Sequence, residues 1–382
     1  MKELLWQSRS EPAGTAPLPE NGFAEPQEAE PSQSPDLRAF IQKLEDAGRL
    51  LRVKETVDSK LGIGRWSRSR HKPLLFEKIM GYGGQEIFTN GLADPTCIRL
   101  ALGFDALTPW KELIEDTRKR LEETVHPRMV RTGPLLDNVI PASVIDLLQF
   151  PVPQWSDFDT GRYLGTWHLN ISKDPDTGQR TAGVYRMQLL GAKRATISAA
   201  KASDLARHVE HAEARGIELP VAVAIGAPEA MVIAASAVCP AEMDEFDLAG
   251  ALQAKPVELL RCGGLEVPAN AEIVIEGFIH PGVRVEDGPY LDYSGRPNTN
   301  PKAFLFEATR LMHRSHPIFR GCASGKAGAE DHQMFAFLAQ LGLLDFHGSK
   351  MNQRFQNFFW RRRAFRTAQW IGRMGSDPQK RK

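Results

Sequence analysis

Between Leu164 and Arg314 the chain is cut into short apolar runs by Gly, Pro and Asp, and this rhythm constrains the fold more than any other feature. GTWHLNISKD alternates apolar and polar residues, DPDTGQ has turn chemistry, and TAGVYRMQLLG alternates again. A hairpin is therefore predicted over Leu164–Leu190. LPVAVAIG and MVIAASAV are unbroken apolar runs and read as buried strands. PVELLRC, AEIVIEGFI and AFLFEATRLMHR are further strand candidates, with VEDGPYLDYSG read as a loop before the last. Helices are inserted at Ser203–Gly216, closed by its glycine, and at Asp244–Leu252. The middle of the chain is thus β-rich with inserted helices.

The flanks differ. Ser34-Pro35-Asp36 is a helix-start signal, and Leu37, Phe40, Ile41 and Leu44 follow at helical spacing, with Gly48 as the stop. Leu51–Val53 begins an extended segment, Pro73–Asn90 reads strand, turn, strand, and helices are predicted near Cys97–Leu102 and at Thr108–Thr124. Pro151, Pro153 and Trp155 mark an extended crossover. GCASGKAG lacks the GxxxxGK[ST] spacing of a phosphate loop and reads as a turn into a helix.

Charge is uneven. The total over 382 residues is +1, but residues 1–36 hold two basic against seven acidic groups and residues 350–382 hold ten against one. The first segment, with six of the 26 prolines, reads as a disordered acidic tail. The second is basic and aromatic. It reads as a disordered tail, with an RNA- or membrane-associating role as the alternative. The body between them is mildly acidic, so nucleic acid is not its expected partner. Four scattered cysteines give neither a CxxC nor zinc-ligand spacing and suit a reducing compartment. With no signal-peptide pattern and no long apolar run, a cytoplasmic protein without a membrane span is expected.

Three clusters can carry chemistry. Arg186 ends TAGVYR, an otherwise apolar strand, so its guanidinium needs a partner if buried. Asp287 and Asp292, in DGPYLDYSG, are the candidates, and the Gly288-Pro289 turn is expected to aim both at one point. Such a cluster either binds a substrate carboxylate and delivers a proton or simply fixes a loop as an ion pair. Asp244, Glu245 and Asp247 crowd a helix start, which suits the helix dipole and also offers Glu245 to a divalent cation near a phosphate. His208 and His211, three apart, read as a solvated helix face, with metal binding as the alternative.

DLRAFIQKLEDAGRLLRV, LLQFPVPQW, GRYLGTWHLNISKDPDTGQRTAGVYRMQLLG, LPVAVAIGAPEAMVIAASAVCP, DEFDLAGALQAKPVELLRCGGLEVPANAEIVIEG and DGPYLDYSG run in an order that resembles the UbiD family. These are carboxy-lyases, of the 3-octaprenyl-4-hydroxybenzoate carboxy-lyase type, that decarboxylate aromatic and α,β-unsaturated acids with prenylated FMN. The resemblance spans roughly residues 36–345. It implies an α+β multidomain chain: a tail over 1–36, an N-terminal α/β domain over 37–125, and a flavin-reductase-like split β-barrel that binds the cofactor over 126–320. An incomplete C-terminal α/β domain would start over 321–349, before the basic tail of 350–382. The cofactor supplies the electrophilic chemistry, and the protein orients and protonates.

Carried over position by position, the resemblance makes Arg186 the substrate-orienting arginine, Asp287 a network carboxylate that is more usually Glu, and Asp292 the proton donor. Glu245 becomes the ligand of Mn²⁺ or Mg²⁺ beneath the flavin phosphate, with K⁺ as a further ion, and Val184, Tyr185, Arg186 and Ser198 line the flavin. The implied partners are a small aromatic or unsaturated acid, a flavin prenyltransferase as cofactor supplier, and further copies of the chain in a homo-oligomer.

There are departures. Thr181 stands where the family has an Asn metal ligand, and Ser198 where it has His or another polar or basic residue; neutral hydroxyls are the poorer ligands. Leu291 replaces a glycine and is expected to restrict the pocket. After residue 345 the composition switches away from the family pattern, as a truncation, a shifted reading frame or a short paralogue would produce. The alternative reading is therefore a catalytically inactive or truncated paralogue or subunit with impaired metal and cofactor binding.

Overall fold

The computed structural model describes residues 34–239 and 243–344. The acidic tail expected over 1–36 falls almost wholly, and the basic tail over 350–382 entirely, outside them.

The N-terminal part begins as its spacing predicts. Asp36 caps the helix Leu37–Asp46 by accepting from the Ala39 N–H at 2.8 Å, and Leu37, Phe40, Ile41 and Leu44 are buried. Leu51–Val53 pairs parallel with Leu74–Phe76, which pairs antiparallel with Glu86–Thr89. The fourth strand of this sheet is Ile318–Arg320, parallel to Glu86–Thr89. It returns from beyond the central region, so the chain crosses between the two parts twice.

The central sheet is antiparallel, in the order Arg194–Ile197, Pro297–His313, Ile273–Leu291, Leu219–Ile225, His168–Lys173, Arg180–Gly183. Asn138–Pro141 adds to the far half of Pro297–His313. Repeated register shifts between the two longest strands increase local twist, and the sheet curls as a half-barrel. Leu219–Ile225 separates two apolar cores. Leu219, Val221, Val223 and Ile225 face one, and Ala222 and Ala224 face the other. The first core receives the helix Asp204–Ala214 through Leu205, Val209 and Ala212. The second receives the helices Glu229–Ala235 and Glu245–Gln253.

Two expectations are corrected. MVIAASAV is not a strand: it lies in the helix Glu229–Ala235 and the turn after it. Gly226, at φ +70°, ends the preceding strand, and Pro228 caps the helix. The helix is buried on nearly every side, so its sequence has no amphipathic period to distinguish it from a buried strand. VEDGPYL is not a loop either, since the strand continues to Leu291. Gly288 permits this: its φ is +109°, and a Cβ there would lie 2.6 Å from the Asn298 carbonyl.

Candidate active site

The hairpin strand Arg180–Gly183 leaves the ladder at Gly183, and Val184, Tyr185 and Arg186 turn into an open cleft of about 630 Å³. Ser198 lies on the same wall, where its N–H donates to the Arg186 carbonyl at 3.0 Å and its Oγ accepts from Asn300 Nδ2 at 3.1 Å. Across the cleft stand Trp167, Val232 and Ser236, and the helix Glu330–Leu341 contributes Asp331, Met334 and Phe335. Mostly apolar walls with a few convergent polar groups are the usual make-up of a small-molecule site.

Arg186 finds the partner its burial demands. Its Nε donates to Asp287 Oδ1 at 2.6 Å and its Nη2 to the Asn298 carbonyl at 3.1 Å. Asp287 is completely buried, and Thr196 Oγ1 donates to its other oxygen at 2.5 Å. The guanidinium also lies 5.3 Å from the Tyr290 ring centroid. It is thus held along one edge, and Nη1 has no hydrogen-bond partner among the described residues. A fixed cation in a cleft wall is suited to a carboxylate ligand.

Asp292 lines the same cleft but makes no ion pair with Arg186 among the described residues. Its Oδ1 accepts from the Ser294 N–H at 2.8 Å and the Ser294 hydroxyl at 2.5 Å, and Oδ2 accepts from Asn298 Nδ2 at 3.3 Å. This short turn holds the carboxyl in place. The expectation that one tight turn aims both carboxylates at one point is corrected. Asp287 sits within the strand and Asp292 beyond its end. Leu291 is corrected too: it packs on the bare Cα of Gly325 rather than lining the cleft.

At the end of the cleft near Tyr185, Asp244 caps the helix Glu245–Gln253 in a capping box with Asp247 and pairs with Arg180. Glu245 is thereby left to face the hairpin. Its Oε1 accepts from the Thr181 hydroxyl at 3.0 Å and its Oε2 from the Ala182 N–H at 3.1 Å. Burial, the largest cause, pushes its carboxyl up, and no cationic side chain pairs with it among the described residues. A partly buried carboxylate beside a hydroxyl oxygen, lacking a cation, offers oxygen donors of the kind a hard divalent ion takes.

The paired histidines do not read as a solvated face. His208 is fully buried and bonds to Ser172 Oγ at 2.9 Å, whereas His211 bonds to Asp174 at 2.9 Å. Asp174, Asp176 and His211 cluster, but Arg207 and Arg215 approach the same carboxylates.

Sequence reasoning missed Trp167, Tyr290, Asn298 and Asp331. Trp167 Nε1 donates to Glu229 Oε2 at 2.8 Å, and Glu229 is gripped by Arg320, itself bonded to Glu330. The signal was present in three buried charges, Glu229, Arg320 and Glu330, but their sequence separation hides the pairing.

Residues 128–327 match the 3-octaprenyl-4-hydroxybenzoate carboxy-lyase Rift-related domain, and residues 41–117 match the N-terminal domain of the same enzymes. The chain belongs to the UbiD family. It is 32% identical over 299 residues to a phenolic acid decarboxylase of Bacillus subtilis (strain 168), covering 74% of this chain and 63% of that protein. Among solved structures it resembles vanillic acid decarboxylase of Sedimentibacter hydroxybenzoicus in its closed form. The TM-score is 0.76 at 30% identity, covering 79% of this chain and 67% of that one. It also resembles an evolved dimeric form of the UbiD-class enzyme HmfF from Pelotomaculum thermopropionicum in complex with prFMN. There the TM-score is 0.74 at 30% identity, covering 81% and 71%.

Proposed function

We propose that this chain is a decarboxylase of aromatic acids that works with prenylated FMN. The observation that carries the reading is the cleft that holds Arg186, braced by Asp287, and Asp292 in one enclosure. The named relatives, a phenolic acid and a vanillic acid decarboxylase and a prFMN-bound enzyme, support it.

In this reading Val184, Tyr185 and Ser198 would line the flavin, and Glu245 with Thr181 would hold Mn²⁺ or Mg²⁺. The bound cofactor supplies the electrophilic centre that takes up electron density as CO₂ leaves. Arg186 binds the substrate carboxylate through its remaining N–H edge and orients the scissile bond toward the cofactor wall. Asp287 keeps the guanidinium from rotating away. Asp292 gives a proton to the carbon that has lost CO₂ and regains one from solvent through the open cleft before the next turnover. The same reading takes the curled central sheet as the split β-barrel of the cofactor domain, residues after 321 as C-terminal domain, and a homo-oligomer in the cytoplasm as the working form.

Co-expression with a flavin prenyltransferase tests the proposal. Purified protein is expected to carry prenylated FMN by absorbance and mass, and to release CO₂ from an aromatic acid. Protein without bound flavin under these conditions refutes it.

A further inference from the structure

Asp331 has no role in the chemistry above, yet it lies in the cleft wall beside Tyr290, Ser324, Met334 and Phe335. It is 6% exposed. Its Oδ1 accepts from the N–H of His332 at 2.8 Å, and its Oδ2 is enclosed with no hydrogen-bond partner. Among the described residues it is the one buried carboxyl group with an unpaired oxygen. The other acids nearby are engaged. Glu330 takes Arg320 and the N–H groups of Asn90 and Leu92, and Glu229 takes Arg320 and Trp167. Buried polar atoms are rarely left without a partner, and one in the wall of a ligand cleft points to the ligand as its partner.

Charge around Asp331 points the same way. Burial pushes its carboxyl up and His332 opposes it, with smaller contributions from Glu330, which raises it, and from the nearby Ser324 hydroxyl, which lowers it. Tyr290 and Cys322 are within its electrostatic reach, and Arg320 is already held by two carboxylates. With Arg320 taken by Glu229 and Glu330, its guanidinium is not left to hold a ligand carboxylate here, whereas a neutral polar group can pair with the enclosed oxygen. Arg186 and Asp331 come from different walls, the sheet and the helix Glu330–Leu341, and Tyr290 neighbours both. A substrate fitting both carries an anionic carboxylate at one end and an uncharged hydrogen-bonding group on its ring.

We propose that Asp331 is a specificity residue that pairs with a ring hydroxyl of the substrate, so that the cleft selects hydroxylated aromatic acids over their unsubstituted counterparts. A hydroxyl suits the position in either protonation state, because it donates to a carboxylate and accepts from a carboxylic acid. The proposal rests on the decarboxylase reading for its substrate class, but the pairing itself is a binding event and is measured without turnover.

The test is calorimetric binding of benzoate and of 2-, 3- and 4-hydroxybenzoate to the full-length, flavin-loaded protein, with Asp331→Leu and Asp331→Asn compared with wild type. Wild type is expected to bind at least one hydroxybenzoate about tenfold or more tighter than benzoate. Asp331→Leu is expected to bring that ratio to about one. Asp331→Asn, with an amide that both donates and accepts, is expected to keep most of it and guards against a folding defect of the leucine variant. A ratio near one in wild type, an unaltered ratio in Asp331→Leu, or equal loss of both ligands in Asp331→Asn overturns the proposal. If wild type releases CO₂ from aromatic acids while the ratio ignores Asp331, the pairing falls and the decarboxylase reading stands. If the ratio follows Asp331 but no acid is decarboxylated, the decarboxylase reading falls and the pairing stands.

Discussion

Arg186 and Asp287 form a pair in which one partner is wholly buried and the other opens onto the cleft. Removing one member of such a pair strands a charge, which costs more than the pair contributes. Asp287→Ala is expected to lower the unfolding free energy by about 3 kcal/mol in urea titration and to raise KM by loosening Arg186. Asp292→Asn keeps the shape but removes the proton. A loss of roughly 100- to 10,000-fold in CO₂ release is expected, without loss of fold. Asp159 gives a pH signature. It accepts from the N–H groups of Ser156 and Leu291 at 2.8 and 2.9 Å, yet burial raises its carboxyl to about 6. A folded-state value above the unfolded one, about 3.9, means its contribution is complete below pH 4 and is lost as pH rises through 6. Between pH 4 and 7, Asp159→Asn is therefore expected to gain about 2–3 kcal/mol on wild type in paired urea titrations. That Arg186 would seek Asp287 or Asp292 was legible in the sequence, because a charge on an apolar strand needs an opposite one; that it takes Asp287 is decided by the fold. That Asp292 would stand apart was not legible, because it depends on the strand running on to Leu291.

Elements were legible where a period or a cap marks them. Asp36 and Ser203 start helices as written, and the stretch from Pro73 to Asn90 folds as strand, turn, strand. The helix Glu229–Ala235 was not legible, because a segment buried all round shows no face. The capping box at Asp244 fixes which carboxylate of its acidic cluster turns toward Thr181. Asp244→Ala removes the cap and the partner of Arg180, and a loss of about 1–2 kcal/mol in thermal or urea unfolding is expected.

At the scale of the whole molecule, the buried group Glu229, Arg320 and Glu330 joins three parts of the chain. These are the helix behind the cleft, the last strand of the N-terminal sheet, and the helix Glu330–Leu341. Through Trp167 and Asp331 it reaches the cleft itself. Arg320→Met leaves two enclosed carboxyl groups without a cation. A loss of about 3–5 kcal/mol at pH 7 is expected, smaller at pH 5, where protonation relieves the repulsion; urea titration at both values checks it. No described helix is long and apolar enough to cross a membrane.

The sequence by itself determined the family, the β-rich centre and the identity of the charges that must be paired, because period, turn chemistry and the cost of an unpaired buried charge act locally. Only the tertiary structure decided which charges meet. Arg320 with Glu229 and Glu330, Glu245 with Thr181, and the unpaired oxygen of Asp331 all depend on how distant segments are brought together. Pairing is set by distance in space, and the order of residues along the chain carries that distance only within a turn or a hairpin.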